Sequence, residues 1–181
     1  MSAIVERSGT TWFMHPTTTQ LVQEFSPEGS KAVDWARADR ELTDAGIYWI
    51  TTVRTDGRPH VTPLIGVYDE QGFCFCTGPG EQKAVNLAAD PRCLVLTGSN
   101  RYDGGLDVVI EGRARRIDDD SRLRQLADAW VTKYGDDWRF EVADGAFRHA
   151  HGGQALVFTI DADKALGFDR DGGGSQTRWK F

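Results

Sequence analysis

The dipeptide Asp56-Gly57 constrains this chain more than any other feature. It stands between two runs rich in β-branched and aromatic residues, GIYWITTVR over 46–54 and PHVTPLIGVY over 59–68. Glycine accepts the positive φ of a tight hairpin turn, so the two runs read as antiparallel strands. DEQG then turns the chain into FCFCT at 73–77, completing a three-stranded meander. Connections this short cannot hold the crossover that parallel strands require, which argues against a parallel nucleotide-binding sheet. No G-x-G-x-x-G or P-loop run is present.

The later chain continues the pattern. CLVLTG at 93–98 reads as a fourth strand and LDVVIEGRARRI at 106–117 as a fifth, with Gly112 a bulge or bend. QALVFTIDADKALGF supplies a sixth strand and the material for a seventh. Two longer helices are expected besides the short one that follows the turn at 77–81. SPEGSKAVDWARADREL offers Ser26 as cap and Pro27 at the first helical position. DDDSRLRQLADAWVTKYG has acidic residues at its start and an apolar stripe of Leu123, Leu126, Ala127, Trp130, Val131 and Tyr134. Gly135 is its natural stop. Residues 1–25 read as an irregular arm, SNRYDGG and FRHAHGG as loops, and DRDGGGSQTRWKF as a tail with a flexible glycine run. Six antiparallel strands with few helices predict a mainly β protein with flanking helices, a small closed or split barrel. We divide it into an arm and helix over 1–45 and a barrel domain over 46–181.

The 181 residues suit one core, and a net charge of −6 argues against a nucleic-acid or anionic-membrane binder. Three cysteines, an odd count, with no secretory leader suggest reduced thiols and a cytoplasmic protein. No apolar run approaches the roughly 18 residues that cross a bilayer.

Two segments can carry chemistry. Thr62-Pro63 interrupts a good strand, and proline cannot donate to a ladder. The position is either a plain edge or one whose free backbone groups bind the polar edge of a ring. In TGPGEQKAVNLAADPR, Lys83 stands at the start of a short helix, with Asn86 one turn on. A helix N-terminus and an ammonium together suit a phosphate, although a solvated surface lysine fits the same spacing. The sequence places no Cys or carboxylate at metal-like spacing beside His149 and His151, so no metal site is expected. Cys74 and Cys76 share one face of their strand and read as packing residues. Arg113, Arg115 and Arg116 give a basic strand edge. No nucleophile with its base is apparent.

TTVRTDGRPHVTPLIGVY, FCFCTGPGEQKAVNLAADPR, DVVIEGRARRI and the closing TRWKF, in this order, resemble the pyridoxamine 5′-phosphate oxidase-like split-barrel proteins. The nearest likeness is to their actinobacterial branch of flavin- or deazaflavin-dependent oxidoreductases. The resemblance runs from about Ile47 to Phe181. It implies a six-stranded antiparallel split β-barrel that binds FMN or coenzyme F420, the branch favouring F420. It implies that Lys83 holds the cofactor phosphate with Asn86 close by. Val61, Thr62, Pro63 and Leu64 would lie against the ring, and Cys76, Thr77 and Gly78 along the ribityl phosphate. It also implies a homodimer with cofactor sites at the interface and Trp179 over the partner's site. The reaction would be hydride transfer between the cofactor and a small organic substrate. His60 and Tyr48, or solvent, are the candidate proton donors. The alternative is a non-catalytic flavin or haem carrier on the same barrel. One departure matters. The family's Arg-Lys phosphate pair is here Gln82-Lys83, which removes one cation unless Arg54, Arg58 or Arg92 replaces it. With the oxidase's C-terminal substrate segment also replaced, vitamin B6 oxidation is not expected.

Overall fold

The computed structural model describes residues 14–149, 152–171 and 174–181. The first thirteen residues of the expected arm lie outside these, as do His151 and two glycines of the tail. After β1 (Thr18–Leu21) and α1 (Trp35–Asp44), a hairpin joins β2 (Tyr48–Val53) to β3 (Pro59–Leu64). β4 (Gly66–Asp69) and β5 (Gly72–Thr77) form the next hairpin, followed by α2 (Gln82–Ala89). β6 (Arg92–Thr97) and β7 (Leu106–Ile117) lead to α3 (Asp120–Tyr134). β8 (Phe140–Ala143), β9 (Ala146–His149), β10 (Gln154–Asp169) and β11 (Ser175–Lys180) complete the chain.

The hairpin turn forms where Asp56-Gly57 places it. Gly57 has φ +85°, and the Arg54 N–H donates to the Arg58 carbonyl at 2.9 Å. Every strand pairing is antiparallel, in the order β1-β11-β10-β7-β6-β2-β3, with β5 and β9 branching from β10 and β4 pairing β5. Among the described residues, the six expected strands become eleven in one sheet. The expected strand 59–68 breaks at Ile65, residues 140–149 form a hairpin that takes in the start of the expected loop FRHAHGG, and β1 and β11 add to one side. The tail is therefore not free: β11 lies between β1 and β10. The sheet is not closed by hydrogen bonds, and its ends β3 and β4 are joined through Ile65 alone.

Two further expectations need correction. α1 begins at Trp35, not after Ser26. Gly29 at φ +82° breaks the earlier stretch, and Asp34 caps the helix by accepting from the Ala36 N–H at 3.1 Å. The bulge lies on β10, between Ala162 and Lys164, not at Gly112. Gly112 lies opposite it, and a Cβ there would stand 2.2 Å from the Asp161 carbonyl oxygen. The backbones approach so closely that only glycine fits.

Two apolar cores result. The first gathers Trp35, Ala38 and Leu42 of α1 with Tyr48, Ile50, Phe73, Phe75, Val95, Ile110 and Trp179 of the strands. The second lies under α3 and joins Leu123, Leu126 and Trp130 to Cys74, Val157, Phe140 and Phe147. β5 faces both, sending Phe73 and Phe75 to one side and Cys74 to the other. This accounts for its unbroken apolar run.

The last turn of α3 holds the corner between β3 and β4. The Tyr134 hydroxyl accepts from the Gly66 N–H at 3.1 Å and donates to the Gly66 carbonyl at 2.8 Å. A Cβ on Gly66 would meet the Phe73 ring at 2.4 Å. Beside it, the Lys133 ammonium donates to the Tyr48 hydroxyl at 2.8 Å, and that hydroxyl donates to the Leu42 carbonyl. Burial lowers the Lys133 pKa to about 8.

Gly66→Ala should therefore cost at least about 2 kcal/mol in urea unfolding. Gly46→Ala, whose Cβ meets nothing within 4 Å, should be near neutral and serves as the control. Tyr134→Phe leaves both Gly66 groups without their partner and should cost about 1–2 kcal/mol. Lys133 gives a separate pH signature. Between pH 8 and 10 the unfolded chain keeps the Lys133 proton while the folded chain loses it, so this lysine makes stability rise with pH. Urea midpoints across that window should rise more steeply in the wild type than in Lys133→Met. Parallel profiles would refute the assignment.

Candidate functional site

The junction of β5 and α2 gathers the polar residues that the sequence singles out. Thr77 ends β5 fully folded into the protein, and Gly78 opens the turn. α2 starts at Gln82 with Glu81 as N-cap, but Glu81 makes no capping bond to the helix. Its carboxylate reaches back instead. One oxygen accepts from the Gly78 N–H at 2.8 Å and the other from the Lys83 ammonium. Lys83 is only 7% exposed. Burial opposes ionisation of Glu81, but Lys83 and the Gly78 N–H outweigh it and hold the carboxyl below its usual pKa.

A hydrogen-bond chain ties this turn to β2. The Arg54 guanidinium donates to the Gln82 amide oxygen at 3.2 Å. The Gln82 amide donates to the Asn86 side-chain oxygen at 2.8 Å, and the Asn86 amide donates to the Thr52 hydroxyl at 2.9 Å. Thr52 pairs across the ladder with His60 of β3. On that strand His60 Nδ1 and Thr62 Oγ1 are buried without a hydrogen-bond partner. Two orphaned polar atoms on one strand face are costly unless something else satisfies them. Arg54 is thus the arginine hydrogen-bonded to α2. Arg58 and Arg92 are held by their own neighbours Asp56 and Asp90, at 2.7 and 2.6 Å.

The site therefore has two parts. At the turn, a buried ammonium, the Gly78 N–H and the open first turn of α2 offer what an anionic oxygen cluster needs. Along β3, the polar atoms of His60 and Thr62 lie without partners on the ladder face that pairs with Thr52 and Ile50. Val61 and Pro63 alternate to the opposite, exposed face, and Leu64 returns to the first core. These residues fit a group that joins a polar ring to a phosphate.

Three expected contributors sit differently. Cys76 packs against the second core, and burial pushes its thiol up to about 12, as it does Cys93, with Cys74 at about 11. These are packing thiols. Trp179 is 0% exposed, packed edge-on to Trp35 with Gly167 against its ring, so it has no surface to lay over a partner's site. Tyr48 is fully buried and its hydroxyl proton is committed to Leu42, which removes it as a proton donor. Of the basic strand edge, Arg115 pairs with Asp161 at 2.9 Å and Arg116 donates to the Gly145 carbonyl. Among the described residues, no three metal-binding side chains come together and no helix is long and apolar enough to cross a membrane. Sequence reasoning missed Glu81 and Thr52. The spacing of Glu81, three residues after Gly78 and two before Lys83, was the available signal.

Comparison with known proteins gives three findings. The family described as pyridoxamine 5′-phosphate oxidase matches residues 35–165. A pyridoxine/pyridoxamine 5′-phosphate oxidase of Streptomyces avermitilis is 41% identical over 68 residues, which is 37% of this chain and 30% of that protein. The match thus spans less than a third of that relative's length. Among solved structures, a conserved hypothetical protein of Mycobacterium tuberculosis superposes with TM-score 0.64 at 21% identity, over 77% of this chain and 86% of its own. The haem storage protein HutZ of Vibrio cholerae superposes with TM-score 0.54 at 15% identity, over 70% and 88%.

Proposed function

The chain belongs to the pyridoxamine 5′-phosphate oxidase family, and from that premise we propose that it is an oxidoreductase using FMN or coenzyme F420 on a small organic substrate. The observation that carries the reading is the buried Lys83 joined to the Gly78 N–H through Glu81, together with the orphaned polar atoms of β3. In this reading the path β2-β6-β7-β10-β5, returning through β4 and β3 taken together as the one strand 59–68 of the sequence, is a six-stranded split barrel. Lys83 and Gly78 hold the cofactor phosphate. Asn86, tied to Thr52, fixes the pitch of α2 so that Lys83 points at it. Thr62 and the backbone of Val61, Pro63 and Leu64 hold the ring, with the Cys76 backbone and Thr77 along the ribityl chain. Bound, the cofactor supplies a ring that takes up or gives up a hydride. The chain's own residues orient that ring and limit what reaches its open face. His60 is the remaining side-chain candidate for moving a proton, and solvent is the other.

The outer face of β2 and β3 supports a homodimer. Trp49, Val53 and Val61 are 43%, 38% and 52% exposed, and Trp49 pairs with Pro63 and Thr51 with Val61 on that face. Large apolar groups side by side on an exposed strand pair mark an interface. Val61 and Pro63 flank Thr62 but project from the opposite face of β3, so such an interface would back the strand that holds the cofactor ring.

A haem carrier is the second reading, favoured by one feature, the unpartnered Nδ1 of the half-buried His60. A Soret band on adding haem, abolished in His60→Ala, would support it over the flavin reading.

Lys83→Ala should weaken FMN and F420 binding at least tenfold, the loss of one charge-assisted contact. Equilibrium titration followed by cofactor fluorescence measures it, and an unchanged dissociation constant would remove Lys83 from the site. Sedimentation should give a dimer for the wild type and a monomer for Val61→Asp. A monomeric wild type at micromolar concentration would dispose of the shared interface.

A further inference from the structure

We propose that Glu81 determines which phosphate this site accepts, favouring a singly charged diester over a doubly charged monoester. The inference rests on the cofactor reading above and refines it. The two carboxylate oxygens of Glu81 bridge the Gly78 N–H and the Lys83 ammonium. Two oxygens of a phosphate would bridge the same two donors. The carboxylate lies directly over Gly78, where even a Cβ would stand 3.3 Å from its oxygen. A phosphate arriving here must displace an anion that the chain itself provides.

The charge count sets the consequence. Lys83 and Glu81 pair within the cradle, the position between them is the neutral Gln82, and the further cation beside α2 is Arg54, which donates to the Gln82 side chain. Arg58 and Arg92 are already paired with Asp56 and Asp90. One net positive charge matches a phosphodiester. A phosphate monoester carries close to two negative charges above pH 7, and its second charge meets the displaced Glu81 without a cation to answer it. The side chain of Glu81 is 52% exposed, so it can swing outward, but it stays tethered within a few ångströms of the anion it has released.

The test uses riboflavin 5′-phosphate, its phosphate monomethyl ester and riboflavin, titrated by fluorescence at pH 8 against the full chain. The two phosphates share one ring and differ by one charge. The wild type should bind the ester at least as tightly as the monoester. Glu81→Gln keeps an acceptor for the Gly78 N–H and removes the charge. It should improve monoester binding about tenfold and ester binding less, reversing the order. An unchanged ratio overturns the role of Glu81. If Lys83→Ala meanwhile abolishes the advantage of the phosphates over riboflavin, the cofactor site stands and only the selectivity falls. If all three ligands bind alike in every variant, or none binds, no phosphate is held at Lys83 and both claims fall.

Discussion

The corner at Ile65–Gly66 is the constraint on which the sheet depends. A strand that leaves one neighbour and joins another must turn, and at the turn its backbone groups lose their ladder partners. Here β3 pairs β2 and β4 pairs β5, with one residue between them. The Tyr134 hydroxyl serves the Gly66 N–H and carbonyl together, and the Phe73 ring fills the space where a side chain would sit. The corner thus fixes three distant parts of the chain at once. It sets where β5 lies, and it pins the last turn of α3. Once that turn is pinned, the apolar stripe of α3 has one surface to cover, and the second core follows.

β10 is the other organising element. Sixteen residues long, it pairs with β7 along nearly its full length. Its other edge serves β5 first and β11 afterwards, with β9 at its start. A strand that carries two partners in succession along one edge forces the sheet to divide there. The bulge between Ala162 and Lys164 lies near the division, where an extra residue increases the local twist. Gly112 on β7 accommodates it by having no side chain.

What the sequence discloses and what it hides separate by range. The Asp56-Gly57 turn, β7 and the stripe and stop of α3 are legible because each is decided by residues a few positions apart. The break at Ile65 is not, since its cause is a tyrosine 68 residues away. Nor is β11, whose Trp179 looks like an exposed aromatic in a glycine-rich tail until its pairing with β1 and β10 puts it in the core. The site divides in the same way. Lys83 and Asn86 are visible from helical spacing next to a glycine turn. Thr52 and Arg54 belong to β2, and only the fold brings them to α2. Glu81 is a third case. It is adjacent in sequence, yet its meaning depends on the direction its side chain takes, back to Gly78 and Lys83 instead of along the helix.

That direction links stability to ligand choice. A lysine as buried as Lys83 needs a counter-charge, because an ammonium removed from water without one is expensive. In the chain alone Glu81 supplies it, and the ion pair lets the turn fold before any ligand arrives. A cradle with two cations and no internal anion would bind a doubly charged phosphate more strongly but would carry an unanswered charge when empty. Gln82 and Glu81 together choose the opposite balance. The overall acidity of the chain does not bear on this, since screening confines such effects to the nearest few charges. On the proposed reading, the selectivity of the pocket would lie in the same residues that make its empty form stable.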